Sequence, residues 1–366
     1  MVKHCEYEID RFFEAVEKSA GIVCYGTGKR LRMFEEYFGA GPAGEKLLYC
    51  VDYDRSKQGA AVSFAGRKIE VLPVEALADC QGKNLILLIS NYRYDQIQSF
   101  LEEKGLLNGI EYYVLSHILG PVLEARAMEK EVPQDCRITS EPVISKVIHY
   151  CWFGRNPIPD QYKKWMESWR RFCPDYEIKE WNEDNYDVTK NAYMCEAYQN
   201  KKWGFVSDYA RMDIIYQHGG IYLDTDVELI DSLDDLLYQP AFMGFESDKS
   251  VNVGLGFGAV AGLEDIRKLR DLYDTLHFVN EDGSLNLKTI PMYQTEALKN
   301  KGLKLNGEYQ RVGNITIYPE KMFAGKSMYS RRIRLKPYSK SIHHYDASWI
   351  GEEEKEFLSK LESEMN

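Results

Sequence analysis

Residues 205–226 read FVSDYARMDIIYQHGGIYLDTD, and this stretch decides the fold of the second half of the chain. It predicts a helix, a glycine break and a short apolar strand that ends in Asp224 and Asp226. In open α/β sheets, ligands bind at the carboxyl ends of strands. Two carboxylates placed two residues apart can face the same way there and bind a hard divalent cation. The stretch therefore predicts a metal-binding strand end in an α/β domain.

The Asp-x-Asp tripeptide carries weight only in this context. The chain has 23 aspartates, so about one such match arises by chance, and a second match occurs at Asp52 and Asp54. The alternative for either pair is a charged strand end beside solvent. The helix, the glycines and the apolar strand before Asp224 distinguish this pair from a chance match.

The composition is that of a globular protein with about two domains. Of the 366 residues, 44% are hydrophobic and 28% are charged, and the formal charge is −11. An acidic chain of this kind is not expected to bind nucleic acid as its main partner. No signal peptide or membrane-spanning run is predicted, and the eight cysteines lack metal-site spacing. We therefore expect a cytoplasmic protein, with peripheral association at the inner face of the membrane left open.

Strand and helix signals alternate in the first part of the chain. Apolar runs predict the strands of a Rossmann-like parallel sheet, at 21–25, 47–51, 85–89 and 110–115. We assign residues 1–125 to this domain, 126–142 to a polar linker and 143–366 to the second domain. The expected fold class is α/β, with a Rossmann-like domain followed by the domain that carries the chemistry.

The first domain has a weak nucleotide-binding signal. Gly26 and Gly28 follow a strand and open a helix, where backbone N–H groups can bind a phosphate. The third glycine of the dinucleotide motif is replaced by Leu31, although Asp52 would suit a ribose hydroxyl. Glycines are also common at such turns for conformational reasons alone. We slightly favour a domain that binds no nucleotide tightly.

Asp208 and Arg211 form the second candidate group. They lie three residues apart on the predicted helix and therefore share a face. The usual explanation of such a pair is a surface ion pair of little energetic value. Because this helix leads into the acidic strand end, the pair also suits a site for sugar hydroxyls and phosphate. Asp213 lies on another face and is interpreted as structural.

Five sequence blocks stand in order along the second domain, at 148–154, 169–181, 205–211, 219–226 and 341–349. With these blocks, the chain resembles the bacterial members of glycosyltransferase family 32, the DxD-motif sugar transferases of capsular and cell-surface polysaccharide gene clusters. The resemblance runs from residue 143 to about residue 349 and covers slightly over half of the chain. It implies a GT-A fold, a nucleotide-sugar donor, a divalent metal that is usually manganese, and retention of anomeric configuration.

The resemblance also implies which residues bind the donor. Trp152 matches the aromatic that stacks on the base, and Asp208 and Arg211 match the pair that binds the sugar. Asn252 matches a residue that faces the transferred sugar, and Trp349 closes the pocket. The alternatives are core packing for Trp152, a turn for Asn252, and packing on a helix for Trp349.

The metal ligands implied by the resemblance come from two parts of the chain. Asp224 matches the carboxylate near the ribose and the metal, and Asp226 matches the direct metal ligand. The third ligand comes from the pair His343 and His344. Only one of the two can face the aspartates, because adjacent residues of a strand face opposite ways. We favour His343.

The sequence thus predicts a metal-dependent glycosyltransferase in which Asp208, Arg211 and Asp226 are catalytic. Manganese is the expected metal, with magnesium as the alternative. The expected partners are a nucleotide-sugar donor and a saccharide or lipid-linked saccharide acceptor, in cell-surface or capsular polysaccharide synthesis. Two alternatives stay open: a non-catalytic nucleotide-sugar-binding protein, and a nicotinamide-dependent oxidoreductase that acts through the first domain.

Overall fold

The computed structural model of the protein describes residues 5–91 and 93–346. These residues form two compact units. The first unit contains the described residues up to 124 together with 329–332, and the second contains 125–328 and 333–346. Trp349 lies outside the described residues.

The first unit is an α/β sheet flanked by helices. Its helices are α1 (Cys5–Lys18), α2 (Lys29–Phe38), α3 (Pro42–Glu45), α4 (Tyr94–Glu103) and α5 (Leu115–Met128), of which residues 125–128 belong to the second unit. Its strands are β1 (Gly21–Tyr25), β2 (Leu47–Val51), β3 (Ala61–Phe64), β4 (Arg67–Leu72), β5 (Leu85–Ile89) and β6 (Glu111–Val114). The sheet order is β3-β4-β2-β1-β5-β6, and every neighbouring pair except β3–β4 is parallel. The five parallel strands thus have the chain order 3-2-1-4-5 of a doubly wound sheet, as predicted.

Two features of this unit differ from the sequence analysis. β3 and β4 form an antiparallel hairpin around Ala65 and Gly66, both with positive φ. Its strands are largely exposed and lack a continuous apolar run, so the apolar pattern did not reveal them. Helix α5 also continues to Met128, into the segment predicted as linker.

The second unit is built on a mixed sheet. Its helices are α6 (Asp160–Phe172), α7 (Ala192–Gln199), α8 (Trp203–His218), α9 (Glu264–Arg270), α10 (Ile290–Lys299) and α11 (Glu320–Phe323). Its first strands are β7 (Val147–Cys151), β8 (Glu177–Trp181), β9 (Gly220–Tyr222), β10 (Val227–Leu229) and β11 (Ala241–Ser247). The remaining strands are β12 (Ser250–Val251), β13 (Phe257–Ala259), β14 (Gln310–Val312), β15 (Ile315–Tyr318) and β16 (Ser341–His343).

The main sheet has the order β14-β15-β11-β13-β9-β7-β8, and β12 pairs with β11. Strand β7 is parallel to both β8 and β9, whereas β13 is antiparallel to both β9 and β11. A separate two-stranded sheet joins β10 to β16. The α/β fold class predicted for the chain is confirmed, and this unit is consistent with a GT-A type domain.

Helix α8 lies inside the second unit rather than on its surface. Residues 205–215 are all buried, including the charged residues Asp208, Arg211 and Asp213. A helix that has apolar residues on every face, as α8 has around its few charged residues, is typically an interior helix. The explanation of Asp208 and Arg211 as a surface ion pair is therefore wrong, because both side chains are less than 10% exposed.

The segment predicted as linker packs on the second unit. The backbone N–H groups of Ile138 and Thr139 donate to the carbonyl of Tyr238, and the Tyr338 hydroxyl donates to the carbonyl of Lys130. In contrast, Tyr329 belongs to the first unit and packs against its core. Within the described ranges, no helix is both long enough and apolar enough to cross a membrane.

Candidate active site

The site lies where strand β9 ends. Gly220 has a φ of 94°, and a Cβ there would lie 2.8 Å from the Val147 carbonyl oxygen, so the close pairing of β9 with β7 requires glycine. Asp224 follows two residues after the strand, in an irregular segment rather than in the strand itself. Its backbone N–H donates to the Gly254 carbonyl, and its own carbonyl accepts from Val227 N–H. This turn directs Asp224 and Asp226 towards one place.

A third side chain joins the two aspartates. Val227 pairs with His343 in the β10–β16 ladder, which places the histidine beside Asp226. The Nε2 atom of His343 lies 3.3 Å from Asp226 Oδ1. One ligand atom from each of Asp224, Asp226 and His343 lies within 4.8 Å of the others. The structure thus brings together the three residues that the sequence analysis assigned to the metal.

His344 points away from this cluster. Its Nε2 lies 2.9 Å from Glu228 Oε2, and its ring stacks on Trp165 at a centroid distance of 4.1 Å. Its backbone N–H donates to the Asp226 carbonyl. The alternation of a strand therefore directs His343 to the carboxylates and His344 to helix α6, as the choice between the two histidines assumed.

The donor set suits a divalent cation. Two carboxylates and one imidazole are ligands that manganese accepts, and magnesium accepts the carboxylates. The side chains of Asp224, Asp226 and His343 are 27%, 13% and 9% exposed, so the cluster is desolvated yet open on the Asp224 side. Burial raises the pKa of both Asp224 and Asp226. A bound cation would reverse this direction, because it favours the charged carboxylates.

Arg211 connects this cluster to Asp208. Its Nη1 lies 3.3 Å from Asp224 Oδ2, its Nη2 lies 3.3 Å from Asp208 Oδ1, and its Nε donates to the Ser207 carbonyl. The guanidinium also lies over the ring of Tyr222, whose hydroxyl donates to Asp224 Oδ1. Although burial acts to lower it, the pKa of Arg211 is raised by the neighbouring Asp224 carboxylate. The arginine therefore carries a fixed positive charge between two carboxylates.

Asp208 is the most enclosed of these carboxylates. Burial raises its pKa to about 7, while Arg211 opposes that shift. The backbone of Ile290, at the start of α10, also acts to lower this pKa. Asp208 is thus held by one cation and one helix N-terminus.

Asn252 and Gly254 form the loop that faces Asp224. The Asn252 side-chain oxygen accepts from Gly254 N–H at 2.8 Å, and its amide nitrogen donates to Glu246 Oε1 at 2.6 Å. A Cβ at Gly254 would collide with Asp224 Oδ2 and lie 3.0 Å from Arg211 Nη1. The structure therefore places Asn252 at the site, with its amide already oriented by protein groups.

Trp152 lies at the end of β7, the strand beside β9. It is half-buried, and its indole N–H donates to the Asn156 carbonyl. Its ring contacts Tyr162 edge to face at 5.8 Å, and the Tyr162 hydroxyl donates to Asp346. The backbone N–H of Asp346 donates in turn to Asp226 Oδ2. These contacts link Trp152 to the cluster, whereas Trp349 lies outside the described residues.

Sequence reasoning missed several groups that support the site. Tyr162 and Trp165 on α6 hold the segment after β16, and Trp169 donates its indole N–H to the Val227 carbonyl at 2.8 Å. The spacing of these aromatics at i, i+3 and i+7 was the available signal. Tyr222, Glu246 and Gly254 had no comparable signal, because their roles depend on contacts between distant segments.

The glycine loop of the first unit has a different arrangement. Both the backbone N–H and the hydroxyl of Thr27 donate to Asp52 Oδ2, and Lys57 lies 3.3 Å from the same atom. Asp54 N–H donates to the other carboxylate oxygen of Asp52. The carboxylate that would suit a ribose hydroxyl thus binds the glycine loop itself. That this unit binds no nucleotide tightly stays a prediction.

The geometry of the second unit agrees with a comparison against protein families. Residues 159–243 match the family model described as the glycosyltransferase sugar-binding region containing DXD motif. The match includes Asp208, Arg211, Asp224 and Asp226. Trp152, Asn252 and His343 lie outside it.

Two fungal proteins are among the relatives. The chain is 30% identical over 142 residues to inositol phosphoceramide mannosyltransferase 3 of Schizosaccharomyces pombe, covering 37% of this chain and 40% of that protein. It is 27% identical over 145 residues to mannosyl phosphorylinositol ceramide synthase SUR1 of Saccharomyces cerevisiae, covering 38% and 37%. The chain therefore spans about two fifths of the length of these relatives. Neither name refers to a bacterial capsular polysaccharide.

One solved structure is also similar to the chain. PaToxG Glycosyltransferase aligns over 57% of this chain and 80% of its own, at 18% identity and a TM-score of 0.35.

Proposed function

We propose that the protein is a metal-dependent glycosyltransferase that moves a sugar from a nucleotide-sugar donor to a saccharide or lipid-linked acceptor. The observation that carries this proposal is the meeting of Asp224, Asp226 and His343 beside the Arg211–Asp208 pair at one strand end. The family match over this part of the chain supports it. Mannose is the first sugar to test, because two of the relatives are named for mannosyl products.

Asp224, Asp226 and His343 would hold the cation, manganese or magnesium. The chemistry that such an ion supplies is neutralisation of the negative charge on the leaving nucleoside diphosphate. Two carboxylates without a cation would instead repel the donor diphosphate.

The chain's own residues supply the rest of the proposed mechanism. Arg211 presents a fixed positive charge where the sugar–phosphate bond breaks, and Asp208 holds the sugar hydroxyls as oxocarbenium character develops. Trp152 stacks on the base, and Asn252 orients the sugar. In a retaining front-face reaction, the leaving phosphate takes the proton of the acceptor hydroxyl, so no covalent nucleophile is required.

The remaining parts of the proposal concern the setting of the reaction. We place the protein in the cytoplasm, with peripheral attachment to a membrane where the acceptor is lipid-linked. Synthesis of a cell-surface glycan, capsular polysaccharide included, is the role we assign. The alternatives, a nucleotide-sugar-binding protein and a nicotinamide-dependent oxidoreductase, make different predictions in the same assay.

The deciding experiment is a screen of nucleotide sugars for hydrolysis without acceptor, in manganese, in magnesium and in chelator. We expect hydrolysis of at least one donor that chelator abolishes and manganese restores. Donor binding without any turnover would favour the binding protein, and binding of a nicotinamide cofactor, titrated in a parallel arm, would favour the oxidoreductase. Full turnover in chelator would contradict the metal role.

Asp226→Asn is the matched variant for this screen. It removes a charge but preserves shape, and the amide oxygen can still accept from Asp346 N–H. We expect a normal thermal midpoint together with a loss of manganese binding, measured by electron paramagnetic resonance of the free ion. Manganese binding equal to that of the original protein would exclude Asp226 as a ligand.

A further inference from the structure

Two tyrosine hydroxyls near Asp208 have no hydrogen-bond partner within the described part of the chain. Tyr193 lies on α7, and Tyr273 lies in the 3₁₀ turn Asp271–Thr275. Both side chains are fully buried. A buried hydroxyl left unsatisfied loses its hydrogen bonds to water without replacement, so native proteins rarely leave two of them together.

Ring contacts place both tyrosines around the turn of α8 that carries Asp208. Tyr193 and Tyr273 meet edge to face at 5.0 Å, and Tyr273 meets Tyr209, the neighbour of Asp208, at 6.2 Å. Tyr193 also contacts Phe278, which in turn contacts Phe205, one helical turn before Asp208. Besides burial, the Asp208 carboxylate raises the pKa of both tyrosines.

Asp213, another buried carboxylate of α8, bonds directly to a tyrosine. The Tyr186 hydroxyl donates to Asp213 Oδ2 at 2.7 Å, and Lys190 and Gln217 complete the partners of that oxygen. Asp208 instead pairs with Arg211 and has no direct bond to Tyr193 or Tyr273 among the described residues. On the same helix, Asp213 is thus bonded directly to a tyrosine, whereas the turn that carries Asp208 is surrounded by two buried tyrosines that do not bond to it.

We propose that Tyr193 and Tyr273 are positioning residues for Asp208, which they hold through enclosed water that bridges their hydroxyls to its carboxylate. Buried water typically makes about three hydrogen bonds to otherwise unsatisfied groups, and two hydroxyls and one carboxylate oxygen supply that number. The inference rests on the proposed function, in which Asp208 holds the donor sugar. It adds a further support that fixes the position of this carboxylate, besides Arg211 and the start of α10.

The first test is thermal stability, which needs no activity. Tyr193→Phe and Tyr273→Phe each remove only a hydroxyl. With bridging water, each variant loses hydrogen bonds and its thermal midpoint falls. If the hydroxyls have no partner at all, each variant removes a buried polar group that is unsatisfied, and its thermal midpoint rises. Thr316→Val on β15 is the matched control, since its fully buried hydroxyl also has no partner among the described residues.

The second test is donor hydrolysis with saturating manganese. We expect the rate constant to fall roughly 10-fold in Tyr193→Phe and Tyr273→Phe, the scale found for groups that orient a functional side chain. Thr316→Val and Tyr186→Phe should keep the original rate. The proposal requires both a lower midpoint and a lower rate, and either change without the other overturns it. An original protein that hydrolyses no donor would overturn the proposed function instead, while the stability test still decides the bridging water.

Discussion

Arg211 lies between two carboxylates, with its guanidinium 3.3 Å from Asp208 and 3.3 Å from Asp224. The spacing of Asp208 and Arg211 in the sequence placed these two residues on one helical face. Their burial was also encoded, because apolar residues surround them on every side of α8. What the sequence did not reveal is Asp224 as the second partner of Arg211, since that contact joins two elements through the fold.

Arg211 should tolerate a lysine better than an alanine. Arg211→Ala leaves Asp208 and Asp224 without their buried cation, which we expect to destabilise the protein by about 3–5 kcal/mol. Arg211→Lys keeps the charge but cannot span both carboxylates as the two-pronged guanidinium does. We therefore expect Arg211→Lys to fold while donor hydrolysis falls roughly 10²-fold or more. Thermal unfolding and hydrolysis of both variants test this, and an unchanged midpoint in Arg211→Ala would contradict the buried pair.

Asp208 should make stability depend on pH. Burial raises its pKa to about 7, above the value of about 4 for an unfolded chain. Between these values the folded state holds a proton that the unfolded state has lost, so this contribution to stability falls as pH rises. Asp208→Asn should show a smaller fall in thermal midpoint from about pH 4 to 7. Burial also raises the pKa of Glu320 to about 7, so some fall in thermal midpoint with rising pH remains in both proteins. An equal fall in the original protein and in Asp208→Asn would refute the pKa shift at Asp208.

At the scale of elements, the strand end was predictable and its surroundings were not. The glycine break, β9 and the two aspartates follow from local sequence alone. His343 reaches them only because β16 pairs with β10 across more than 100 residues, and local patterns do not encode such pairing. A family resemblance supplied His343 before the structure placed it.

Gly254 should resist substitution even by alanine. A Cβ there would overlap Asp224 Oδ2 and crowd Arg211, and the surrounding loop is fixed by the bonds of Asn252. We expect Gly254→Ala to displace the Asp224 carboxylate and to weaken manganese binding and donor hydrolysis roughly 10-fold or more. Gly28→Ala, where a Cβ meets no atom within 4 Å, is the control. Equal manganese affinity in Gly254→Ala and Gly28→Ala would contradict this expectation, because it would mean that displacing Asp224 does not weaken metal binding.

For the whole molecule, the sequence located two α/β parts but not the path between them. It assigned 126–142 to a linker because that segment is polar and aperiodic. In the structure, Val132 and Cys136 pack with a core of the second unit, whereas Tyr329 packs in the first. These packing partners depend on tertiary contacts, which the composition of a segment does not predict.

A truncated chain that begins at Ala125 should therefore keep donor hydrolysis, because all the described cluster residues belong to the second unit. This truncated chain should carry Tyr329→Ser, because the Tyr329 ring packs on core residues of the first unit, which the truncation removes. A chain that begins at Arg137 should have a lower thermal midpoint, because it also lacks Val132 and Cys136. Unfolding and hydrolysis are compared with the full chain carrying Tyr329→Ser. Folded but inactive protein from Ala125 would mean that the first unit takes part in the reaction.

The long separation in sequence between β10 and its partner β16 has a consequence for how the protein is made. A ribosome adds roughly 5–20 residues per second, so about 120 residues separate the synthesis of Asp226 from that of His343 by on the order of 10 s. Throughout that interval the nascent chain has Asp224 and Asp226 but lacks His343. The three side chains therefore meet only after β16 has been synthesised and has paired with β10, so this cluster is assembled late relative to the helix and strand that carry its aspartates.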